Sequence, residues 1–263
     1  MTATMAPPPA APTATLDVSG TSPIPMRRLV GVEMRKMADT RAGRWLLIAI
    51  AVIAVLVTAG FFIWGKPSEQ TFLSLMGYGG IPLGVLLPVL GILLVTQEWG
   101  QRTALVSFTQ VPHRGRVLVA KVAAALLFAL AAMVIIGIVA AVLAPLGGAA
   151  HPFHDVSVGL LLRLLLGIEL GVVWGLAFGG ALLSSAFAIV LYFLVPTIIS
   201  IVSNIWTAVA DKMIWIDLNT SSSHLYTDHV SGKDWAHMGT GFLVWIAIPA
   251  GIGIWRVLRS EVK

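Results

Sequence analysis

The sequence predicts an all-α polytopic membrane protein with six transmembrane helices. Three observations carry this. Of 263 residues, 57% are hydrophobic and only 11% are charged, where a soluble domain usually carries about 25% charged residues. The mean hydropathy is +0.91. The apolar residues also fall in long uncharged runs rather than in short alternating ones. A chain of this kind needs an apolar solvent, and in lipid a helix satisfies its own backbone polar groups.

Residues 1–25 are rich in Pro, Ala and Thr, with Asp17 as their one charge. This composition reads as a disordered tail. It does not read as a signal peptide, because the first apolar run begins only at Trp45 and no small-residue cleavage site follows it. That run is expected to stay in the mature protein as an anchor. Residues 26–44 follow the tail. Met26, Val30 and Met37 share one helical face, with Leu29 beside it, and Arg28, Arg35 and Asp39 lie opposite. Glu33 sits among the apolar residues and blurs the pattern. The segment reads as a helix lying on the membrane surface, against a plain basic anchor.

The first span is residues 45–64, an uncharged stretch of about 30 Å as a helix, with Trp45 and Trp64 as interfacial anchors. The second, 72–96, contains Pro82 and Pro88, which predict a kink or a broken helix. Polar residues fill 97–116, and the third span runs over 117–146. Residues 156–205 carry only Arg163 and Glu169 as charges. One helix of that length would reach about 75 Å, so it must fold into two spans, 159–183 and 187–205, broken at Ser184-Ser185. A polar segment, 206–237, forms the external loop, in which 206–218 has the alternation of a short interfacial helix. The sixth span is 238–255.

Charge distribution sets the expected orientation. With the N-terminus cytoplasmic, thirteen of the 17 basic residues fall inside: Arg27, Arg28, Arg35, Lys36, Arg41, Arg44, Arg102, Arg114, Arg116, Lys121, Arg256, Arg259 and Lys263. This is the positive-inside pattern, and it requires an even number of spans. It also accounts for the net charge of +5 through topology and contact with anionic lipid rather than nucleic acid. There is no cysteine, so thiol chemistry and a Cys-based zinc site are excluded.

The loop between the second and third spans carries the most specific pattern. Glu98-Trp99 is followed by Arg102 and Thr103, then by Phe108, Thr109, Pro112, Arg114 and Arg116, and Lys121 stands at the start of the next span. Leu105, Phe108 and Thr109 can face one way as a short helix. With Glu33-x-x-Lys36 ahead of the first span, this arrangement resembles the permeases of the ABC-2 type. The resemblance covers residues from about 26 onward by layout and is motif-specific over 98–121. It implies the membrane subunit of an ABC exporter, with an N-terminal interfacial helix and a cytoplasmic coupling helix between the second and third spans. That helix would dock on a separate ATP-binding subunit. Glu98, Trp99, Arg102, Thr103, Phe108, Thr109, Pro112 and Arg116 would form the coupling region. ATP and magnesium would sit on the partner and no cofactor on this chain. A second permease subunit would complete a homodimer in the plasma membrane, the inner membrane of a bacterium. The N-terminal tail is outside the family pattern.

Other features compete for a role. Gly60 to Lys66 matches a phosphate loop up to Pro67, which has neither the hydroxyl for magnesium nor an N–H for phosphate. No ATP hydrolysis is therefore expected on this chain. Gly167, Gly171, Gly175 and Gly179 line one stripe of the fourth span, and Gly77, Gly84 and Gly91 form a looser set in the second. Both read as helix-packing surfaces, with a pathway-lining role as the alternative. Glu169 and Arg163 are ionisable groups in an apolar span. Glu169 reads either as a substrate or gating residue or as a structural hydrogen bonder, and Arg163 as a residue that snorkels. The six histidines, among them His151, His154, His224, His229 and His237, read as loop residues without a metal-binding scaffold. Asn219-Thr220-Ser221 fits a glycosylation acceptor. An intramembrane protease would need paired catalytic groups within a span, and none is present. A secondary transporter would favour repeated halves, which the loop lengths do not show.

Overall fold

A computed structural model describes residues 24–101, 113–206, 212–226 and 230–259. The expected tail lies almost wholly outside these residues. So do the expected short helix within the 97–116 loop and much of the one at 206–218.

Among the described residues the chain is all helix, without a strand, and six helices are long and apolar enough to cross a membrane. In chain order, α1 is Met26–Asp39, α2 Arg41–Trp64, α3 Phe72–Gly100 and α4 Arg114–Leu143, which a 3₁₀ turn extends to Leu146. Next come α5 Val158–Leu182, α6 Ser185–Ile205 and the short α7 Leu218–Ser223. The last span, Gly232–Arg259, joins α8 (Gly232–Phe242), a π-helical turn and α9 (Ile248–Arg259).

Local chemistry sets the breaks. Thr40, in extended conformation, separates α1 from α2, and its hydroxyl accepts from Gly43 N at 3.2 Å. A Cβ on Gly43 would stand 2.0 Å from Met37 O, so this one-residue corner admits only glycine. The second helix thus starts four residues before Trp45, because the cap rather than the apolar run defines its end. Thr71 caps α3 and Ser157 caps α5 in the same way. Leu183, at φ 53°, ends α5 in the left-handed region, and α6 starts two residues later. Ser231 and Asp234 form a capping box, so the last span begins several residues before its apolar run. Helix α3 runs unbroken through Pro82 and Pro88, so the chain does not break there.

Helix α3 is the axis of the bundle. In its most apolar stretch 61% is buried, against 33% or less in every other span. It packs on α2, α4 and α5, and α5 packs in turn on α9. Lipid supplies little drive for helices to associate, so close backbone approach has to do it. The stripe on α5 provides that approach. A Cβ on Gly175 would lie 2.4 Å from Pro88 O, one on Gly179 3.1 Å from Ile92 O, and one on Gly171 3.6 Å from the Pro88 ring. Gly167 instead meets the Tyr226 hydroxyl, at 2.9 Å. The looser set on α3 divides. Gly91 faces Val172 O on α5 at 3.2 Å, whereas Gly77 and Gly84 have open space at the Cβ position and line an apolar cavity of about 360 Å³. An aromatic cluster of Trp174, Phe178, Tyr192 and Trp245 joins α5 and α6 to the last span.

The two ends of the bundle differ in charge. One end gathers α1, the C-terminal ends of α3, α5 and α9, and the N-terminal ends of α2, α4 and α6. Every described basic residue lies there except Lys66, Arg163, Lys212 and Lys233. At the other end Gln70 donates to Phe62 O at 2.7 Å and accepts from Gly148 N at 3.2 Å, which ties the α2–α3 turn to the end of α4.

Candidate functional site

Four charged residues from three helices meet at the basic end. Glu33 and Lys36 come from α1, one turn apart. Glu98 comes from the last turn of α3, and Lys121 from the second turn of α4. Lys36 Nζ donates to Glu33 Oε1 at 2.8 Å and to Glu98 Oε1 at 2.7 Å. Lys121 Nζ donates to Glu33 Oε2 at 2.7 Å, lies 3.0 Å from Glu98 Oε1, and donates to Leu94 O at 3.1 Å. The result is a closed ring of alternating sign with no net charge.

Three of its members are buried. Glu33 and Lys121 are each 3% exposed and Glu98 is 5% exposed, while the Lys36 side chain keeps 32%. Burying four charges carries a large desolvation cost, which only close opposite charges and full hydrogen bonding offset. Every carboxylate oxygen named above has an ammonium partner, and the carbonyl of Leu94 takes a further proton of Lys121. Burial by itself disfavours the Lys36 charge, but the Glu33 and Glu98 carboxylates outweigh it and hold the ammonium above the usual lysine value.

The ring explains the blurred face of α1. The buried residues of that helix are Leu29, Glu33 and Met37, spaced four apart. Glu33 therefore stands at the centre of the packed face because its partner Lys121 comes from α4. A wheel of α1 alone places Leu29 at the margin and makes Glu33 an intruder. No local pattern indicates a buried lysine in α4.

The expected coupling residues divide between described and undescribed positions. Arg102, Thr103, Phe108, Thr109 and Pro112 lie outside the described residues. Glu98 is a buried tie to α1, and Trp99 is half-buried beside it. Arg116 donates to Ile24 O at 2.5 Å, so it holds the chain just ahead of α1. Arg114 donates to Val257 O on α9 at 2.9 Å. The helix ends on either side of residues 102–112 are thus bonded to other elements, that of α3 to α1 and that of α4 to α1, to the chain just ahead of it and to α9. Thr96 and Ser185 share a hydrogen bond of 2.6 Å that adds α6 to the same end.

The remaining candidates lie elsewhere. Glu169 and Arg163 form no ion pair with each other among the described residues, and Glu169 Oε2 is buried with no hydrogen-bond partner there. Residues 60–64 of the phosphate-loop lookalike are helical, the last turn of α2. His154 pairs with Asp155, and His224 lies 3.7 Å from Asp234. His237 is buried with its ring 4.4 Å from that of Trp215. No three metal-ligating side chains come together among the described residues. His229 lies outside them.

A comparison of the chain with protein-family models finds no match, and neither the curated proteins nor the solved structures contain a match to it.

Proposed function

We propose that this chain is the membrane-spanning permease subunit of an ABC-type exporter of the ABC-2 kind. A separate ATP-binding subunit would bind ATP and magnesium and drive transport. The supporting observation is the buried ring of Glu33, Lys36, Glu98 and Lys121. It joins α1 to the two helix ends that flank the 102–112 loop. Those four are among the residues on which the family resemblance rests. A push delivered to the loop by a docked ATPase would pass to α1 and to the central helix α3 together, because a buried charge cannot be pulled from its partner cheaply.

In this reading α1 is the interfacial helix, the coupling helix belongs to the segment 97–116, and the basic end faces the cytoplasm, as the positive-inside rule requires. Both termini are then cytoplasmic and the membrane is the bacterial inner membrane. A second copy of the chain pairs with the first. The large exposed apolar faces of α2 and α6 are available for that pairing and for lipid. Affinity purification from the native membrane tests the reading. An ATP-binding subunit should co-purify, and deletion of residues 101–110 should abolish the association while leaving the permease inserted. Full retention of the complex after that deletion refutes the proposal.

A second reading, an ion-gradient-driven transporter, draws support from Glu169, an ionisable group in an apolar span whose Oε2 lacks a described partner. Substrate flux into liposomes driven by a proton gradient, with no ATP-binding protein present, would favour it.

A further inference from the structure

Helices α4, α5 and α9 leave an open-sided groove of about 360 Å³ near the basic end. Leu118, Val122 and Leu126 form one wall, Val173 and Ala177 the second, and Ile254 the third. Its floor is a crossing of α5 and α9 so close that a Cβ on Gly253 would stand 2.7 Å from the Gly180 carbonyl carbon. From Leu118 to Leu126 the groove follows α4 for about 12 Å, most of one leaflet's hydrocarbon depth of about 15 Å. Small-molecule sites have volumes of this order.

A cleft of opposite character lies beside the groove. His113, Arg114, Gly115, Arg116 and Leu258 line that cleft. The two meet at neighbouring residues of α9. Arg114 donates to the carbonyl of Val257, whose side chain lines the groove, while the next residue, Leu258, lines the cleft. Arg114 also stands one turn ahead of Leu118 on α4. The cleft lies at the N-terminal end of α4, which has no acidic residue in its first turn and no side-chain cap. The α4 dipole and the side chains there carry the same sign and both favour an anion, while Arg114 meets the opposite dipole at the C-terminal end of α9 through the Val257 carbonyl. Arg116 makes no ion pair among the described residues, and its one described hydrogen bond goes to the neutral carbonyl of Ile24.

We infer that the groove and cleft together bind one anionic glycerophospholipid. An acyl chain lies between α4, α5 and α9, and the phosphate of the headgroup sits against Arg116, Arg114 and His113. An amphiphile with one negative head and an apolar tail matches both surfaces at once, which neither a free anion nor an uncharged lipid does. The headgroup would lie where helix ends meet water, and the tail where the spans meet hydrocarbon. The bound lipid would cover the α5–α9 crossing and brace the N-terminal end of α4. The inference needs the membrane-spanning fold alone and is independent of any ATP-binding partner.

The full chain, placed in nanodiscs of equal phosphatidylglycerol and phosphatidylcholine and then released into mild detergent, tests this by native mass spectrometry. Phosphatidylglycerol should be retained over phosphatidylcholine by fivefold or more, since each basic group near a headgroup contributes about that factor. Arg116→Gln should lower the preference about fivefold, and Arg116→Lys should restore most of it. Ala123→Trp, which fills the groove and changes no charge, should abolish retention. Equal retention of the two lipids by the unaltered protein overturns the proposal, whatever the variants do. Undiminished retention in a folded Ala123→Trp protein also overturns it, because headgroups would then be condensing on the basic end without the groove.

Discussion

Lys121 is the most informative residue to remove. It is 3% exposed and touches both carboxylates of the ring, at 2.7 and 3.0 Å, besides the Leu94 carbonyl. At an effective dielectric constant of 20, each such charge pair is worth about 6 kcal/mol of gross attraction. Most of that is offset in the folded protein by the desolvation of the ammonium itself. Lys121→Met removes both terms and leaves a harsher defect, because Glu33 and Glu98 then face each other with only Lys36 between them and the site carries a buried net charge of −1. Breaking one partner of a buried ionic group costs about 3–5 kcal/mol, and that range is expected for Lys121→Met in equilibrium unfolding in mixed micelles. Lys36→Met should cost clearly less, because the Lys36 side chain keeps 32% exposure and water can reach the charges it leaves. The double variant Lys121→Met/Glu98→Gln restores neutrality, with Glu33 still paired to Lys36 on α1. It should recover about 1–3 kcal/mol relative to the sum of the single losses. A Lys121→Met protein as stable as the unaltered one, or single losses that simply add in the double variant, would refute the argument that the four residues form one neutral unit.

Three further outcomes follow from the same structure. Gly175→Ala should destabilise the bundle by about 1–3 kcal/mol, as overpacking does, since its Cβ would lie 2.4 Å from Pro88 O, whereas Gly171→Ala, at 3.6 Å, should stay within about 0.5 kcal/mol. The two thermal-unfolding midpoints, taken at one scan rate, separate these cases. Thr40→Ala removes the α2 cap and should cost about 1 kcal/mol in the micelle unfolding assay. The Lys36 contribution has a definite pH dependence. Its folded pKa lies above the ordinary lysine value of 10.5, so its stabilisation is complete below that value and is lost only as pH rises through the higher, folded one. A stability titration of the unaltered protein against Lys36→Met should therefore show a constant difference at neutral and mildly alkaline pH, which shrinks only above 10.5.

Much of the architecture is legible in the sequence. A bilayer fixes the length of a span, so uncharged runs of about 20 residues count themselves. The 50-residue apolar stretch had to fold back near Ser184-Ser185 for the same reason. Helix ends were less legible. The Ser231 cap extends the last span into sequence read as external loop, and the Thr40 cap starts α2 inside residues 26–44, read as one surface helix. The small-residue spacing on α5 marked a close approach but not its target. That the target is the Pro88 and Ile92 backbone of α3 depends on how the two helices cross.

The sequence by itself determined the number of helices long and apolar enough to span a membrane and the segregation of basic residues to one end. These follow from local composition acting against a solvent of known thickness and charge. Only the tertiary structure decided what the charged residues of that end do. Glu33 and Lys36 lie 62 to 88 residues from their partners Glu98 and Lys121, a separation over which no helical period carries information. A surface wheel can only register Glu33 as misplaced and Lys121 as one more inside charge. Packing α1 across the ends of α3 and α4 takes these residues out of water together, and once out of water their charges are stable only in each other's company.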